Sequence, residues 1–129
     1  MTKKLQERAI EAAAKYVERR GYDVLGTAWS PEEGISMDVI AKDGDAVVFI
    51  DVSARIGIDK GLPPEDLAGS RQRMEIAAAR WLSEQDDEEL INVSVRFDAI
   101  AMLVLDENRA LLRHHINTFG SGDFTDSAD

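Results

Sequence analysis

The chain has 129 residues, of which 44% are hydrophobic and 31% are charged, which is enough for one globular domain but too little for two independent cores. No stretch approaches the roughly 20 apolar residues of a membrane-spanning helix, and residues 1–4 lead directly into a charged amphipathic segment, so we expect a cytoplasmic protein without a membrane partner. The absence of cysteine and the presence of only two histidines exclude disulfides and thiolate zinc sites, so any metal site would use oxygen ligands.

The net charge of −10 at pH 7 argues against nucleic-acid binding, because affinity for phosphates comes mainly from Lys and Arg. However, residues 84–92 hold five acids and residues 120–129 hold three, with no basic residue in either segment. The remaining 110 residues carry 17 acids against 15 basic residues, so the body of the protein is nearly neutral. Ten of the basic residues are Arg, which pairs well with phosphates, although ordinary surface solubility is the simpler explanation.

Hydrophobic periodicity and turn residues divide the chain into helices and strands. In chain order we predict a helix over residues 5–20, strands over 22–29, 35–42 and 45–55, a helix from Pro63 to Ser83, and strands over 93–105 and 110–117. This order fits one mixed sheet with helices packed against it, in the α/β or α+β class. We assign residues 1–119 to a single domain and expect the acidic tail, residues 120–129, to be disordered.

The dipeptide Asp43-Gly44 predicts how the second and third strands pair, because Asp-Gly is the strongest short-range hairpin signal. A two-residue turn at this dipeptide pairs Lys42 with Asp45. Side chains alternate along each strand, so one face of the pair would collect Asp38, Phe49, Asp51, Ser53 and Arg55.

In this register Asp38 faces Phe49 and Asp51 faces Ser36, so the two carboxylates are diagonal neighbours within about 7 to 8 Å. Like charges this close are unfavourable unless a cation lies between them, and Mg²⁺ with oxygen ligands is one natural answer. The alternative is that each Asp caps a strand end, pairs with an Arg or lies in solvent. Aspartate is disfavoured in strands, which makes the pair noteworthy.

Five short segments occur in a recognisable order: GYDVL at 21–25, MDVIA at 37–41, VFIDVSAR at 48–55, VRFDAI at 95–100 and HINTF at 115–119. In sequence and spacing they resemble the YraN-type family of uncharacterised small proteins (UPF0102) over residues 5–119. That family is assigned the restriction-endonuclease-like fold. The resemblance therefore implies an α/β protein with a mixed sheet flanked by helices in the order α-β-β-β-α-β-β.

The resemblance also implies a site. Asp38 and Asp51 match the metal-binding acids of a nuclease that depends on Mg²⁺ or Mn²⁺, and both would be catalytic. Ser53 stands at the third catalytic position, where the family has Lys, and a hydroxyl cannot supply the positive charge that stabilises a pentavalent phosphate. Ile10 stands where the first helix of the family usually offers a Glu. The active site is therefore expected to be eroded.

Two arginines are candidate contacts to nucleic acid, with DNA favoured over RNA as the partner. Arg55 follows Asp51 and Ser53 on the same strand face and could bind phosphate, although guanidinium cannot act as a general base. Arg71 lies in the apolar stripe of the second helix, so it should face the sheet, and it matches a basic residue of the family. A side chain with a packed stem and a solvated head is the alternative for Arg71.

Three functions remain open from the sequence. The first is a metal-dependent, endonuclease-like protein that processes nucleic acid. The second is a catalytically inactive module on the same fold that binds nucleic acid or protein. The third is a structural protein that assembles through the exposed edge of its last strand, and a homodimer is one such assembly.

Two further groups of residues have a structural interpretation. Arg96 and Asp98 share a strand face and are expected to form a local ion pair. The adjacent His114 and His115 would point to opposite faces of a strand and could not bind one ion together.

Overall fold

The structure is a computed structural model that describes residues 2–57, 67–86, 90 and 93–119. Across these residues the chain forms two helices and five strands: α1 (Thr2–Arg19), β1 (Asp23–Glu32), β2 (Ile35–Asp43), β3 (Ala46–Ile56), α2 (Leu67–Ser83), β4 (Ser94–Asp106) and β5 (Arg109–His115). The α/β class and the order α-β-β-β-α-β-β are confirmed. The predicted helix start at Pro63 and the acidic tail, residues 120–129, lie outside the described residues.

The five strands form one mixed sheet in the order β1-β2-β3-β4-β5. β1, β2 and β3 form an antiparallel meander, β3 pairs with β4 in parallel from Ala46↔Ser94 to Ile56↔Val104, and β5 returns antiparallel to β4. A parallel pair requires a crossover connection, and α2 lies in the connection between β3 and β4.

The two helices cover opposite faces of the sheet and create two cores. Apolar residues of α1 at helical spacing pack on one face, against the side chains of Val39, Ala41, Val48, Ile50 and Val52. On the other face, Met74, Ala77 and Trp81 of α2 pack against Phe49 and Phe97. The central residues 47–50 of β3 are fully buried because helices cover both sides of this strand.

The predicted register of the β2–β3 hairpin was wrong by one pair. Asp43 pairs with Ala46, so the two turn residues are Gly44 and Asp45 rather than Asp43 and Gly44. Gly44 has φ +60° at the first central position, which is where a type II′ turn needs a positive φ and favours glycine. Lys42 therefore pairs with Val47 and not with Asp45.

Asp43 stays in the strand because its side chain has a partner there. Arg96 on β4 donates from Nη1 to Asp43 Oδ2 at 2.9 Å, and the same guanidinium contacts Asp98 and the hydroxyl of Tyr22. This contact between β4 and the end of β2 is not visible in local sequence. The contact supports the turn at Gly44 and Asp45, one residue later than the Asp43-Gly44 signal indicates.

The predicted ion pair between Arg96 and Asp98 is confirmed, and it forms part of a buried cluster. Asp98 is fully buried and accepts from Arg96 Nε at 2.9 Å, from the backbone N–H of Asn117 at 2.9 Å and from His114 Nε2 at 2.8 Å. Burial alone would raise the pKa of Asp98, but the hydrogen bonds from His114, Arg96 and Asn117 outweigh it, so the pKa lies below its usual value. His114 is thus a structural partner of Asp98.

Within the residues described above, no helix is long and apolar enough to cross a membrane.

Candidate functional site

Asp38 and Asp51 lie next to each other where β2 and β3 separate. The paired ladder ends at Val39↔Ile50, and the next positions along it are Asp38 and Asp51. The two residues are therefore directly across from each other, not diagonal, and the expected pairings of Asp38 with Phe49 and of Asp51 with Ser36 were wrong. In the observed register, each residue of β2 pairs two residues further along β3 than predicted. A shift of two residues keeps each side chain on the same face of the sheet, so the two carboxylates still converge.

The regular alternation of side chains along β2 is interrupted next to Asp38. Its neighbours Met37 and Val39 would normally share a face, yet Met37 packs in the core under α2 and Val39 in the core under α1. The alternation of side chains is interrupted between them. The Asp38 side chain consequently lies at the end of the ladder, within reach of both the β3 backbone and α1.

Donors from two elements hold the Asp38 carboxylate. The backbone N–H of Val52 donates to Asp38 Oδ2 at 2.7 Å, and Gln6 Nε2 on α1 lies 3.5 Å from the same oxygen. Gln6 Nε2 also donates to the Val52 carbonyl oxygen at 2.9 Å. Because the amide nitrogen of Gln6 faces two acceptors, its orientation is fixed, and Gln6 ties α1 to β3 beside the carboxylate.

A different helix supplies the partner of Asp51. Arg73 Nη2 on α2 lies 3.1 Å from Asp51 Oδ1, with side-chain exposures of 41% for Arg73 and 24% for Asp51. Asp51 is thus on the α2 side of the sheet, whereas Asp38 is bound by Gln6 of α1. The carboxylate pair lies between the two helices where β2 and β3 separate, and solvent reaches it.

Burial raises the pKa of Asp38 to about 6. Charge repulsion and a side-chain hydrogen bond with Asp51 add to this rise, while the Val52 N–H and the positive charge of Arg73 oppose it. A carboxyl whose pKa is raised by burial and by a second acid is typical of functional sites. The positive charge of Arg73 offsets only part of the combined negative charge of Asp38 and Asp51.

The remaining predicted site residues lie on β3 and on α2. Ser53 and Arg55 follow Asp51 on β3, at the registers Ser53↔Ala101 and Arg55↔Leu103, and both are half-buried. Strand alternation places them on the Asp51 side of the sheet. Arg71 is on α2, where its Nε lies 3.4 Å from Glu75 Oε2 one turn further along the helix.

Sequence reasoning missed Gln6 and Arg73, although each left a signal. Gln6 lies three residues before Ala9 and four before Ile10, which are both buried, so it is a polar residue on the inner face of α1. Ile10, at the position where a Glu was sought, is part of the core. Arg73 lies four residues before the buried Ala77, and only the position of Asp51 reveals which of the α2 arginines reaches the site.

The residues present fit a loosely held Mg²⁺ or Mn²⁺ ion. The carboxylates of Asp38 and Asp51 are hard oxygen donors, and Mg²⁺ is commonly bound by one or two carboxylates together with waters and substrate phosphates. Over the described ranges no cluster of three or more His, Cys, Asp or Glu side chains could hold a metal. An ion here would thus depend on solvent or a bound phosphate for its remaining ligands.

The fold and site define an α/β protein with two adjacent carboxylates where two neighbouring strands of a mixed sheet separate. Residues 10–102 match the model of a family described as uncharacterised protein family UPF0102, and the chain belongs to this family. A UPF0102 protein of Pelotomaculum thermopropionicum is 35% identical over 111 residues, covering 84% of this chain and 89% of the relative. A UPF0102 protein of Rhodococcus opacus is 33% identical over 95 residues, covering 73% and 77% respectively, and one of Nocardia farcinica is 30% identical over 105 residues, covering 81% and 80%.

Proposed function

We propose that this protein is a metal-dependent, endonuclease-like protein that processes nucleic acid, with an eroded active site. The observation that carries the proposal is the direct juxtaposition of Asp38 and Asp51 at a solvent-accessible position where β2 and β3 separate. Two carboxylates without a matching pair of cations are suited to a divalent ion, and phosphodiester hydrolysis is a reaction that such an ion assists. The restriction-endonuclease-like fold implied by the family resemblance agrees with this chemistry.

Each residue has a distinct role in the proposal. Asp38 and Asp51 would hold Mg²⁺ or Mn²⁺, and a bound ion would polarise a phosphodiester and lower the pKa of a water molecule. Gln6 and the Val52 N–H keep the Asp38 carboxylate oriented, since both contact its Oδ2. Ser53 can donate one hydrogen bond to a phosphate oxygen but supplies no charge.

Arg55 and Arg71 are the proposed contacts to the nucleic-acid backbone, with DNA favoured over RNA. A guanidinium binds a phosphate through two parallel hydrogen bonds. Individual arginines can therefore bind a nucleic-acid backbone even though the protein outside its acidic segments is nearly neutral. We place the activity in the cytoplasm.

A catalytically inactive binding module is the second candidate function, and Ser53 is the observation that favours it. Without a cation at this position the charge that develops on the phosphate in the transition state is poorly stabilised. The same carboxylates could then hold a metal that bridges to a phosphate without cleavage. A binding module and a slow nuclease differ in turnover and not in affinity.

The test is a cleavage assay on labelled single-stranded, duplex, flap and four-way-junction DNA, with matching RNA substrates, in Mn²⁺ and in Mg²⁺. Wild type is compared with Asp51→Ala, with Ser53→Lys and with Asp45→Ala, an exposed acid of the same hairpin that serves as the control. Cleavage that Asp51→Ala abolishes and Asp45→Ala preserves supports the nuclease.

Two other results would change the conclusion. If wild type is inert and Ser53→Lys cleaves, the scaffold is intact and one side chain silences it. If neither protein cleaves but Mn²⁺ strengthens DNA binding through Asp51, the binding module is the better description. The molar mass in solution, measured in the same samples, shows whether a homodimer is present.

A further inference from the structure

We propose that Arg73 has two alternating partners: Asp51 when no metal is present, and a phosphate of the bound nucleic acid when a divalent ion occupies the carboxylate pair. This inference rests on the function proposed above and assigns the cation that Ser53 cannot supply. It makes Arg73 both a competitor of the metal and an anchor for the substrate.

The first argument is the balance of charge where β2 and β3 separate. Asp38 and Asp51 bring two acidic groups together, and Ser53 contributes no positive charge. Within the described part of the chain, Asp51 is the one acidic partner recorded for Arg73, at 3.1 Å. In the metal-free protein Arg73 therefore occupies the electrostatic position that a divalent ion would take.

The second argument is that the Arg73 side chain is able to move. It is 41% exposed and joins the site from the second turn of α2, so its guanidinium is anchored to a rigid helix but has a solvent-facing side. A divalent ion on the Asp51 carboxylate repels a guanidinium a few ångströms away. The displaced side chain stays beside the ion, where the phosphate of a substrate would bind, and its fork of N–H donors matches two phosphate oxygens.

Arg80 on the same helix provides a matched comparison. It lies seven residues after Arg73 and pairs with Glu84 and with Glu32 of β1, away from the carboxylate pair. Replacing either arginine with Gln removes one positive charge from α2. Only Arg73→Gln changes the site, so the difference between the two variants isolates the local effect from the overall change in charge.

The experiment measures two affinities on the full chain. Calorimetric titration with Mn²⁺ alone is expected to give about tenfold tighter binding for Arg73→Gln than for wild type, because the competing cation is gone. Binding of labelled DNA in the presence of Ca²⁺ is expected to become about tenfold weaker for Arg73→Gln, because a phosphate contact is lost. Arg80→Gln should change the Mn²⁺ affinity by less than about twofold. Arg73→Lys keeps the charge and should restore a Mn²⁺ affinity close to that of wild type.

Opposite signs in the two titrations are the signature of the proposed role, and a purely structural role for Arg73 would weaken both. The inference is overturned if Arg73→Gln weakens Mn²⁺ binding or behaves like Arg80→Gln in both titrations. In that case the proposed function still stands, provided that wild type binds Mn²⁺ and Asp51→Asn does not. If wild type itself binds no Mn²⁺, the metal site fails and this inference fails with it.

Discussion

Replacement of Asp38 by Asn should make the metal-free protein more stable at neutral pH. Burial and the adjacent Asp51 raise the pKa of Asp38 to about 6, so ionising Asp38 costs more in the folded chain than in the unfolded chain. An Asn side chain can still accept the Val52 N–H through its carbonyl oxygen. Its amide group can also donate toward Asp51, which replaces repulsion with a hydrogen bond.

The magnitude and the pH window follow from the pKa. The pKa of Asp in an unfolded chain is about 3.9, so folding raises the pKa of Asp38 by about two units. This rise corresponds to about 3 kcal/mol of unfolding free energy, which partial solvent exposure reduces to about 2 kcal/mol. Because the folded pKa is the higher one, the folded state holds the proton more tightly. Stability of the wild type is therefore lost as the pH rises from about 4 through about 6, and the variant lacks this loss.

Urea unfolding in EDTA at several pH values tests this prediction. Asp38→Asn should match wild type at pH 4 and exceed it by about 2 kcal/mol at pH 7.5. Removing any acid also relieves repulsion in a chain with a net charge of −10, so the exposed Asp45→Asn is the control for net charge. A variant that is less stable than wild type at pH 7.5, or no more stable than Asp45→Asn, would show that the carboxylate pair is not strained.

Three other substitutions probe the scaffold, each by urea unfolding. Asp98→Asn should destabilise the protein by about 3 kcal/mol because it leaves the Arg96 guanidinium without its buried partner. The pKa of Asp98 is lowered by folding, so this contribution is present above about pH 4 and is lost as the pH falls further; the acid side of the stability profile should be flatter in the variant, and an unchanged profile would contradict the assignment. Gly44→Ala should cost about 1 kcal/mol, because φ is +60° while no atom blocks the new Cβ; a gain in stability would refute the turn geometry. Phe49→Ala should cost about 4 kcal/mol, because the fully buried ring packs against Trp81 and Phe97, and a loss below about 1 kcal/mol would contradict this packing.

Much of the fold could be predicted because its signals are local. The apolar spacing in α1 and the continuous apolar run of β3 each depend on neighbouring residues alone. The hairpin turn lies one residue later than predicted, because Gly44 takes the first central position of a type II′ turn, which the sequence also allowed. Arg96, 53 positions away in sequence, contacts Asp43 in the strand, and this supporting contact is not visible in the local pattern.

The candidate site also contains residues that local sequence predicts and residues that only tertiary packing brings to the site. Asp38 and Asp51 could be paired from the sequence because the predicted register and the observed register both place them on the same face of the β2–β3 pair. Gln6 and Arg73 reach the pair from two helices whose placement on the sheet depends on packing, and several arginines of α2 compete for the role. Which of them contacts Asp51 depends on the rotation of α2 about its axis, and this rotation is set by Met74, Ala77 and Trp81 against the sheet.

A comparison of the two acidic centres in this sheet explains why one is assigned to structure and the other to function. Asp98 is fully buried, but three neighbouring groups donate to it, so the chain itself supplies what the negative charge requires and the pKa falls. Asp38 is placed beside another acid, with one backbone donor and a distant amide, so its pKa rises. A charge that the fold satisfies stabilises the fold. A charge that the fold leaves partly unsatisfied, at a position open to solvent, is an energetic cost that a bound cation would remove, and this is the physical reason for expecting a metal ion at Asp38 and Asp51.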